Sequence, residues 1–281
     1  AGCMGEKSRK NAKCPRPKGK AGWKPECPPS AVEPWVPVQI DGPAKVLCLS
    51  DIHVPYHSRE AVQAAVAYGK KLKPDIVLLN GDTIDFHRIS RFQQDPRKRS
   101  TKQELEATVQ LLEWLRHTFK NARIIYKLGN HDERWDHFVW TKCLELFDLE
   151  CLQLHNVLKF EEYGIERVGD SPILCGRLPV LHGHELGRNL YAPVNPARTA
   201  FLRANHTVLI GHLHRPSSNP ESDLFGKETM TWSQGCLCGK QPEYARVNKW
   251  RWGFCHIEVA ANNEFNMHNM VVGNNYTVRP A

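Results

Sequence analysis

Apolar runs recur along the first half of the chain at the spacing expected when strands alternate with helices. Residues 46–49 (VLCL) and 76–79 (IVLL) are continuous apolar runs with the length of strands that are buried on both faces. Between them, Ser58 can cap a helix that extends to about Lys73. This β-α-β order predicts a parallel sheet flanked by helices.

The same rhythm continues to about residue 126. Ser100, with Gln103 three residues later, has the pattern of a capping box and predicts a helix through Phe119. Residues 124–126 (IIY) then form the next predicted strand. The first half of the chain therefore contains three strands and two helices in alternation.

The second half contains further runs typical of strands. Two of these runs, residues 180–181 and 208–210, lead directly into histidine-rich clusters. Three β-type runs follow, at residues 229–237, 254–259 and 265–272. We expect these late strands to complete a second sheet.

Polar clusters stand where five of the predicted strands end. The carboxyl ends of parallel strands meet at one edge of a sheet, and ligands of open α/β sheets bind beyond that edge. We therefore expect two Asp, one Asn and several His to meet in one cleft. The clusters are residues 51–53 (DIH), 81–85 (GDTID), 129–132 (GNHD), 182–184 (HGH) and 211–214 (GHLH).

Charge changes the interpretation of the N-terminal region. The 281-residue chain has a formal net charge of +8, and residues 1–30 contain eight Lys or Arg but two Glu. This Pro- and Gly-rich segment has few apolar residues to bury, so we predict a flexible arm over residues 1–43 and a folded domain over residues 44–281. The arm could attract nucleic acid or only increase solubility, and both interpretations remain open.

Cysteine content and hydropathy bear on the cellular compartment. Ten cysteines at irregular spacing are too dilute for a disulfide scaffold and predict reduced thiols. Cys3, Cys14 and Cys27 lie in the basic arm without a C-x-x-C pair, which makes a poor zinc site. Because the sequence has neither about 18 consecutive apolar residues nor an apolar N-terminal signal, we expect a cytoplasmic protein without a membrane span.

The five clusters are specific only as a set, because a single D-x-H or H-x-H arises often by chance. Imidazole and carboxylate ligands together favour Mn, Fe, Zn or Ni over an all-oxygen cage for Mg or Ca. In order, the clusters resemble the motifs D-x-H, G-D-x-x-D, G-N-H-D/E, H-G-H and G-H-x-H of the calcineurin-like metallophosphoesterase superfamily. The resemblance covers roughly residues 46–214.

The resemblance implies an α/β fold, a four-layer α/β/β/α sandwich with two central mixed sheets. It also implies two divalent metal ions, with Mn the leading choice and Fe, Zn or Ni as alternatives. The family's use of the first histidine of H-G-H favours His182 over His184 as the ligand, a choice that the sequence alone leaves open. His184 would then be either a residue that supports the ligands or a cleft residue without a role. One metal would bind Asp51, His53 and His214, the other Asn130, His182 and His212, with Asp82 as the bridge.

The mechanism implied by the resemblance is phosphoester hydrolysis by a metal-bridging hydroxide. His131 would act as the general acid, and Asp85 would orient its ring. Arg134 and Arg88 are candidate phosphate contacts, although each is equally consistent with a solvated surface arginine.

The motifs also bear on the substrate. The phosphoprotein phosphatase branch has G-D-x-V-D-R-G, whereas here Phe86 and His87 follow Asp85, and Asp132 replaces Glu. We therefore expect a phosphodiesterase or nuclease on DNA or RNA. The basic residues 87–102 could follow a phosphodiester backbone or form a plain solvated loop, and both interpretations remain open. Residues 232–254 resemble phage- or prophage-encoded members, and the tryptophans there could stack on bases or pack in the core.

Two alternatives remain. The same chemistry would serve a phosphomonoesterase acting on nucleotides, small phosphates or phosphoprotein. A scaffold that keeps the fold but has lost catalysis is the third possibility, because a fold alone does not guarantee a function.

Overall fold

A computed structural model describes residues 26–91, 97, 100–187, 194–242 and 246–281. The chain divides into two compact units, Ala1–Trp35 and Val36–Ala281. In the first unit, residues 26–35 are described and contain no helix or strand. Most of the predicted basic arm therefore lies outside the described residues.

Seven strands form the first sheet of the second unit, and three motif loops extend from it. Four strands are parallel to one another: β2 (Ala44–Leu49), β3 (Ile76–Asn80), β4 (Arg123–Lys127) and β5 (Ile165–Val168). Three antiparallel strands continue the sheet beyond β2: β11 (Gly253–Val259), β12 (Phe265–Val272) and β13 (Val278–Pro280). The strand order is β13-β12-β11-β2-β3-β4-β5.

Six strands form the second sheet, in the order β1-β6-β7-β8-β10-β9. The pairs β1–β6, β7–β8 and β8–β10 are parallel, and the pairs β6–β7 and β9–β10 are antiparallel. The sheet is therefore mixed, as the resemblance implied. Its strands are β1 (Val38–Ile40), β6 (Ile173–Cys175), β7 (Leu178–Leu181), β8 (Val208–Ile210), β9 (Ser217–Ser222) and β10 (Glu228–Ser233).

The prediction that the late strands complete a second sheet is wrong for two of the three runs. Residues 229–237 do contribute β10 to the second sheet, but β11 pairs with β2 and β12 pairs with β11 in the first sheet. The parallel order leaves one edge of β2 without backbone partners, and β11 satisfies those donors and acceptors. Alternation of apolar and polar residues indicates that a run is a strand, but it does not indicate which sheet the strand joins.

The folded unit also begins earlier than the predicted boundary at Ala44. Val38–Ile40 forms β1, which pairs in parallel with β6, and Ile40 is buried. The surrounding prolines dominate the local composition, and for that reason the sequence did not distinguish this short edge strand from an extended lead-in. Residues 38–43 therefore belong with the folded unit.

Side chains along the central strands point alternately to the two faces of the first sheet, and this alternation separates the helical layer from the second sheet. Leu47 and Leu49 pack with helices α1 and α2, whereas Val46 and Cys48 face the second sheet. Helix α5 covers the outer face of the second sheet. This arrangement confirms the four-layer α/β/β/α sandwich. The helices are α1 (Arg59–Leu72), α2 (Thr101–Thr118), α3 (Arg134–Lys142), α4 (Leu154–Val157) and α5 (Pro196–Ala204).

The two predicted helix starts are confirmed. The side chain of Ser58 accepts a hydrogen bond from the backbone of Ala61, and Ser100 and Gln103 form a reciprocal capping box. Among the described residues, none of the helices combines the length and the apolar character that crossing a membrane requires. The eight cysteines in this part of the chain are free thiols.

The core between the sheets should depend strongly on Leu78, which is fully buried there. We expect Leu78→Ala to lower the free energy of unfolding by roughly 2–5 kcal/mol, because truncation leaves a cavity between two rigid layers. Leu202→Ala is the matched control, since Leu202 is 67% exposed on α5. Urea denaturation measures both. Equal losses for the two variants would contradict this description of the core.

Candidate metal centre and active site

The first group of donor atoms forms where β2 ends. Asp51, His53 and Asp82 place one donor atom each within 4.8 Å of the others, and all three are buried. His214 joins them from the second sheet, with Nε2 3.0 Å from Asp51 Oδ1 and 3.2 Å from His53 Nε2. The structure therefore brings together the residues that the sequence assigned to one metal and to the bridge.

A second group shares Asp82 with the first. Asp82, His182 and His212 also place donor atoms within 4.8 Å of one another, and His182 Nε2 lies 3.3 Å from Asp82 Oδ2. Asp82 thus occupies the position expected of a bridging ligand. Asn130 adjoins this group, because the backbone N–H of its neighbour His131 donates to Asp82 Oδ1 at 2.8 Å.

The polar atoms of this cluster fit a pair of divalent cations. Asn130 Oδ1 and His212 Nδ1 are buried, and neither has a hydrogen-bond partner among the described residues. Leaving a buried donor or acceptor unsatisfied costs about 1–3 kcal/mol, and a cation would satisfy both atoms. The mixture of imidazole, carboxylate and amide ligands suits a transition metal.

The electrostatics favour ligating forms at two positions. Burial alone would raise the pKa of Asp82, but His182 and His131 outweigh it and hold the pKa well below its usual range. Burial and the adjacent His182 lower the pKa of His212 to about 3, which keeps that imidazole neutral. Although burial lowers it, Asp82 raises the pKa of His182 to about 10. A cation at His182 therefore competes with a proton.

Two glycines of the motifs are required by the close approach of these loops. A Cβ atom at Gly81, where φ is +85°, would lie 2.3 Å from Nδ1 of His182. A Cβ atom at Gly129 would lie 2.3 Å from Oδ1 of Asp82. Any side chain at either position would displace a proposed ligand.

His131 and Asp85 lie together beside the donor groups. His131 Nδ1 is 3.1 Å from Asp85 Oδ1, and the same carboxylate oxygen is 2.9 Å from His53 Nδ1. Burial would raise the pKa of Asp85, but the hydrogen bonds from His131 and His53 hold it well below its usual range. Arg134 donates to the Asp85 carbonyl at 2.8 Å, and its Nη2 lies 3.0 Å from His131 Nε2. Arg134 is therefore at the site.

The remaining predicted residues lie further out. His184 Nε2 is 3.2 Å from Glu133 Oε1, and its ring centroid is 5.3 Å from that of His182. The geometry thus places His182, not His184, with Asp82 and His212. Arg88 is exposed on the short 3-10 helix His87–Ile89. Within the basic stretch 87–102, residues 92–96 and 98–99 lie outside the described part of the chain.

Asp132 has a structural role that was not predicted from the sequence. Its buried carboxylate accepts hydrogen bonds from the backbone of Asp82 and Gly129, both at 2.7 Å, and from the Tyr126 hydroxyl at 2.6 Å. Burial and the nearby Asp82 raise the pKa of Asp132 to about 6. Its position directly after G-N-H is the signal that could have identified it.

A buried ion pair that the sequence analysis missed supports the H-G-H loop. Lys127 is fully buried at the end of β4, and its Nζ lies 2.9 Å from Glu185 Oε1. Glu185 also accepts from the backbone N–H of His182 at 3.1 Å and of Gly183 at 2.6 Å. The pair therefore joins the first sheet to the loop that carries His182.

The comparisons with known proteins agree with this geometry. The family model described as calcineurin-like phosphoesterase matches residues 44–250, and the chain belongs to that family. It is accordingly a metal-dependent phosphoester hydrolase, of a family that typically binds a dinuclear metal centre.

Two phage proteins and two solved structures are similar to the chain. The "Gene 54 protein" of Mycobacterium phage L5 is 25% identical over 232 residues, which are 76% of this chain and 89% of that protein. The "Gene 54 protein" of Mycobacterium phage D29 is 24% identical over 246 residues, 83% and 96% of the two chains. Yfce, a phosphoesterase from E. coli, has a TM-score of 0.37 at 15% identity, covering 83% of this chain and 96% of its own. A dimetal phosphatase from Danio rerio has a TM-score of 0.41 at 10% identity, covering 82% and 96%.

Removal of Lys127 should destabilise the chain strongly. We expect Lys127→Met to lower the free energy of unfolding by about 3–5 kcal/mol, because the buried carboxylate of Glu185 would lose its lysine partner. The double variant Lys127→Met/Glu185→Gln should recover part of this loss, because it removes that charge. The free energies come from urea denaturation.

Lys159→Met is the control for this experiment, because Lys159 pairs with Glu162 at the surface. We expect its denaturation midpoint to match that of the wild type. A Lys127→Met variant as stable as this control would show that the buried pair does not support the loop.

Proposed function

We propose that the chain is a dinuclear-metal-dependent phosphodiesterase that cleaves nucleic acid. Its reaction adds water to a phosphodiester and breaks one P–O bond, which yields a phosphomonoester and an alcohol. When bound, two divalent cations would supply Lewis-acid chemistry and make water nucleophilic near neutral pH. The proposed ligands are Asp51, His53, Asp82, Asn130, His182, His212 and His214.

The position of His131 is the observation that carries this proposal. The Asp85 carbonyl accepts the Nδ1–H of His131 at 3.0 Å, and Asp85 Oδ1 lies 3.1 Å from the same nitrogen. This leaves Nε2 as the atom that can give a proton to the leaving oxygen. After the alcohol leaves with that proton, the ring can regain one from water.

Arg134 supplies positive charge at the same point. Its Nη2 donates to His131 Nε2 at 3.0 Å. A phosphate oxygen bound at the guanidinium would replace this contact and leave Nε2 to carry the proton for the leaving oxygen. A phosphodiester carries one negative charge, which a single guanidinium beside the metals can match. A phosphomonoester dianion would place more charge at the same point.

The overall charge favours a polyanionic substrate. The formal net charge is +8 and the isoelectric point is about 9.0. Such a charge attracts nucleic acid through its phosphates without regard to base sequence. Manganese is the metal we propose, since it accepts both the imidazole and the oxygen ligands of this set.

Hydrolysis assays test the general acid. In Mn²⁺, His131→Ala should reduce turnover of single- and double-stranded DNA by about 10²–10⁴-fold, because the leaving alkoxide needs a proton. Turnover of bis-p-nitrophenyl phosphate should fall much less, because p-nitrophenolate leaves without one. His137→Ala is the control, since His137 is exposed on α3 outside the site.

Three outcomes would change the assignment. If His131→Ala reduced turnover of DNA and of bis-p-nitrophenyl phosphate by the same factor, a proton-donor role for His131 would be ruled out. Wild-type turnover of p-nitrophenyl phosphate alone would identify a phosphomonoesterase. No turnover with Mn²⁺, Fe²⁺, Zn²⁺ or Ni²⁺ would identify a scaffold without catalysis.

Metal binding is tested separately by thermal unfolding. At a free Mn²⁺ concentration 100 times Kd, we expect the wild type to gain about 2.7 kcal/mol of stability over protein in EDTA. Asp82→Asn should lose this gain, because the shared carboxylate belongs to both donor groups. Asp148→Asn, an exposed change outside the site, should keep it. A full gain in Asp82→Asn would contradict the proposed bridge.

A further inference from the structure

Cys238 is a buried thiol whose backbone is fixed to the D-x-H loop. The backbone N–H groups on either side of it donate to that loop, from Leu237 to the Asp51 carbonyl at 3.0 Å and from Gly239 to the Tyr56 carbonyl at 2.8 Å. The indole N–H of Trp252 donates to the Cys238 carbonyl at 2.8 Å. Only 2% of Cys238 is exposed. These bonds hold the sulfur at a fixed place relative to the donor groups.

The Cys238 thiol lies beside the edge of the His214 ring that faces away from Asp51. On one edge of the His214 ring, Nε2 lies 3.0 Å from Asp51 Oδ1. On the other edge, Nδ1 lies 3.8 Å from Cys238 Sγ. The ring of Trp250 packs against the same imidazole with its centroid 4.1 Å away, in an edge-to-face contact. The His214 ring thus has a polar contact at each nitrogen and packs against the ring of Trp250.

We propose that Cys238 is a positioning residue for the metal centre, whose sulfur accepts the Nδ1–H of His214 and thereby leaves the Nε2 lone pair for the metal. This inference rests on the proposed function, because it takes His214 as a ligand. A neutral imidazole has one donor and one acceptor nitrogen, so the partner at Nδ1 decides which nitrogen can bind a metal. The partner of a ligating histidine is usually a carboxylate, a carbonyl or water.

The two polar contacts also favour the observed ring orientation over the reversed one. A half-turn about the Cβ–Cγ bond would exchange nitrogen and carbon at both edges, which moves Nε2 away from Asp51 and Nδ1 away from Cys238. Only the observed orientation satisfies both contacts. Sulfur is a weak acceptor, so this support is easily lost when the thiol is removed.

Three variants separate this role from simple packing. Cys238→Ala removes the acceptor, and Cys238→Asn replaces it with a carbonyl oxygen that reaches further than the thiol. Cys175→Ala is the matched control, because it makes the same truncation at a fully buried thiol between the two sheets. Titration calorimetry with Mn²⁺ should show an affinity about 10-fold lower for Cys238→Ala. Cys238→Asn should restore it, and Cys175→Ala should not change it.

The tautomer of His214 gives a readout that does not depend on activity. Long-range ¹⁵N NMR of protein loaded with diamagnetic Zn²⁺, with the signal assigned by its loss in His214→Asn, should show the proton on Nδ1 and the metal on Nε2 in the wild type. Cys238→Ala should shift the ring toward a mixture of tautomers. A proton on Nε2 in the wild type would overturn the inference, because the thiol would then be the donor.

The two proposals fail in different ways. Wild-type protein that binds no Mn²⁺ would contradict the metal centre and the proposed function with it. Wild-type protein that binds Mn²⁺, together with a Cys238→Ala variant equal to Cys175→Ala in affinity and to the wild type in tautomer, would overturn only the role of Cys238.

Discussion

The buried carboxylate of Asp132 is the interaction on which the centre depends most directly. It accepts backbone hydrogen bonds from the loop after β3 and from the loop after β4, and so fixes the distance between two motifs. Asp82, the residue shared by both donor groups, is one of the donors. Charge-assisted bonds of this kind are stronger than neutral ones, which lets one side chain compensate for the cost of its own burial. With its pKa raised to about 6, the carboxylate remains ionised at neutral pH.

Such fixed points are needed because the site contains backbone strain. Five proposed ligands have left-handed backbone conformations, with φ between 52° and 62°: Asp51, His53, Asp82, His212 and His214. Each of these non-glycine conformations costs of order 1–3 kcal/mol and persists only where the surroundings determine it. The bond from the His212 N–H to Asp51 Oδ2, at 3.0 Å, shows how a ligand of one sheet fixes a loop of the other. The strain turns side chains away from their strands and toward one point.

Local chemistry made most of the fold predictable. The runs at 46–49 and 76–79 are apolar at every position because both faces of β2 and β3 are buried, and Ser58 marks a helix start by the bond its hydroxyl can accept. The motif clusters could be placed together because parallel strands end at the same edge. Pairings between distant segments could not be predicted in this way. The partner of β11, the bond between Lys127 and Glu185 and the contact of Cys238 with His214 all depend on where the chain returns after long excursions.

The strand order also affects when the catalytic centre can form during biosynthesis. β2 precedes the first motif, but its neighbour β11 is made only after all five motifs. Until β11 has left the ribosome, β2 keeps one open edge, and the segment with Cys238 and Trp250 has only just been made. The nascent chain therefore cannot close the sheet beside the first motif until β11 has emerged, well after every proposed ligand has been made. Translation of the motifs alone is consequently not enough to assemble the supported metal centre.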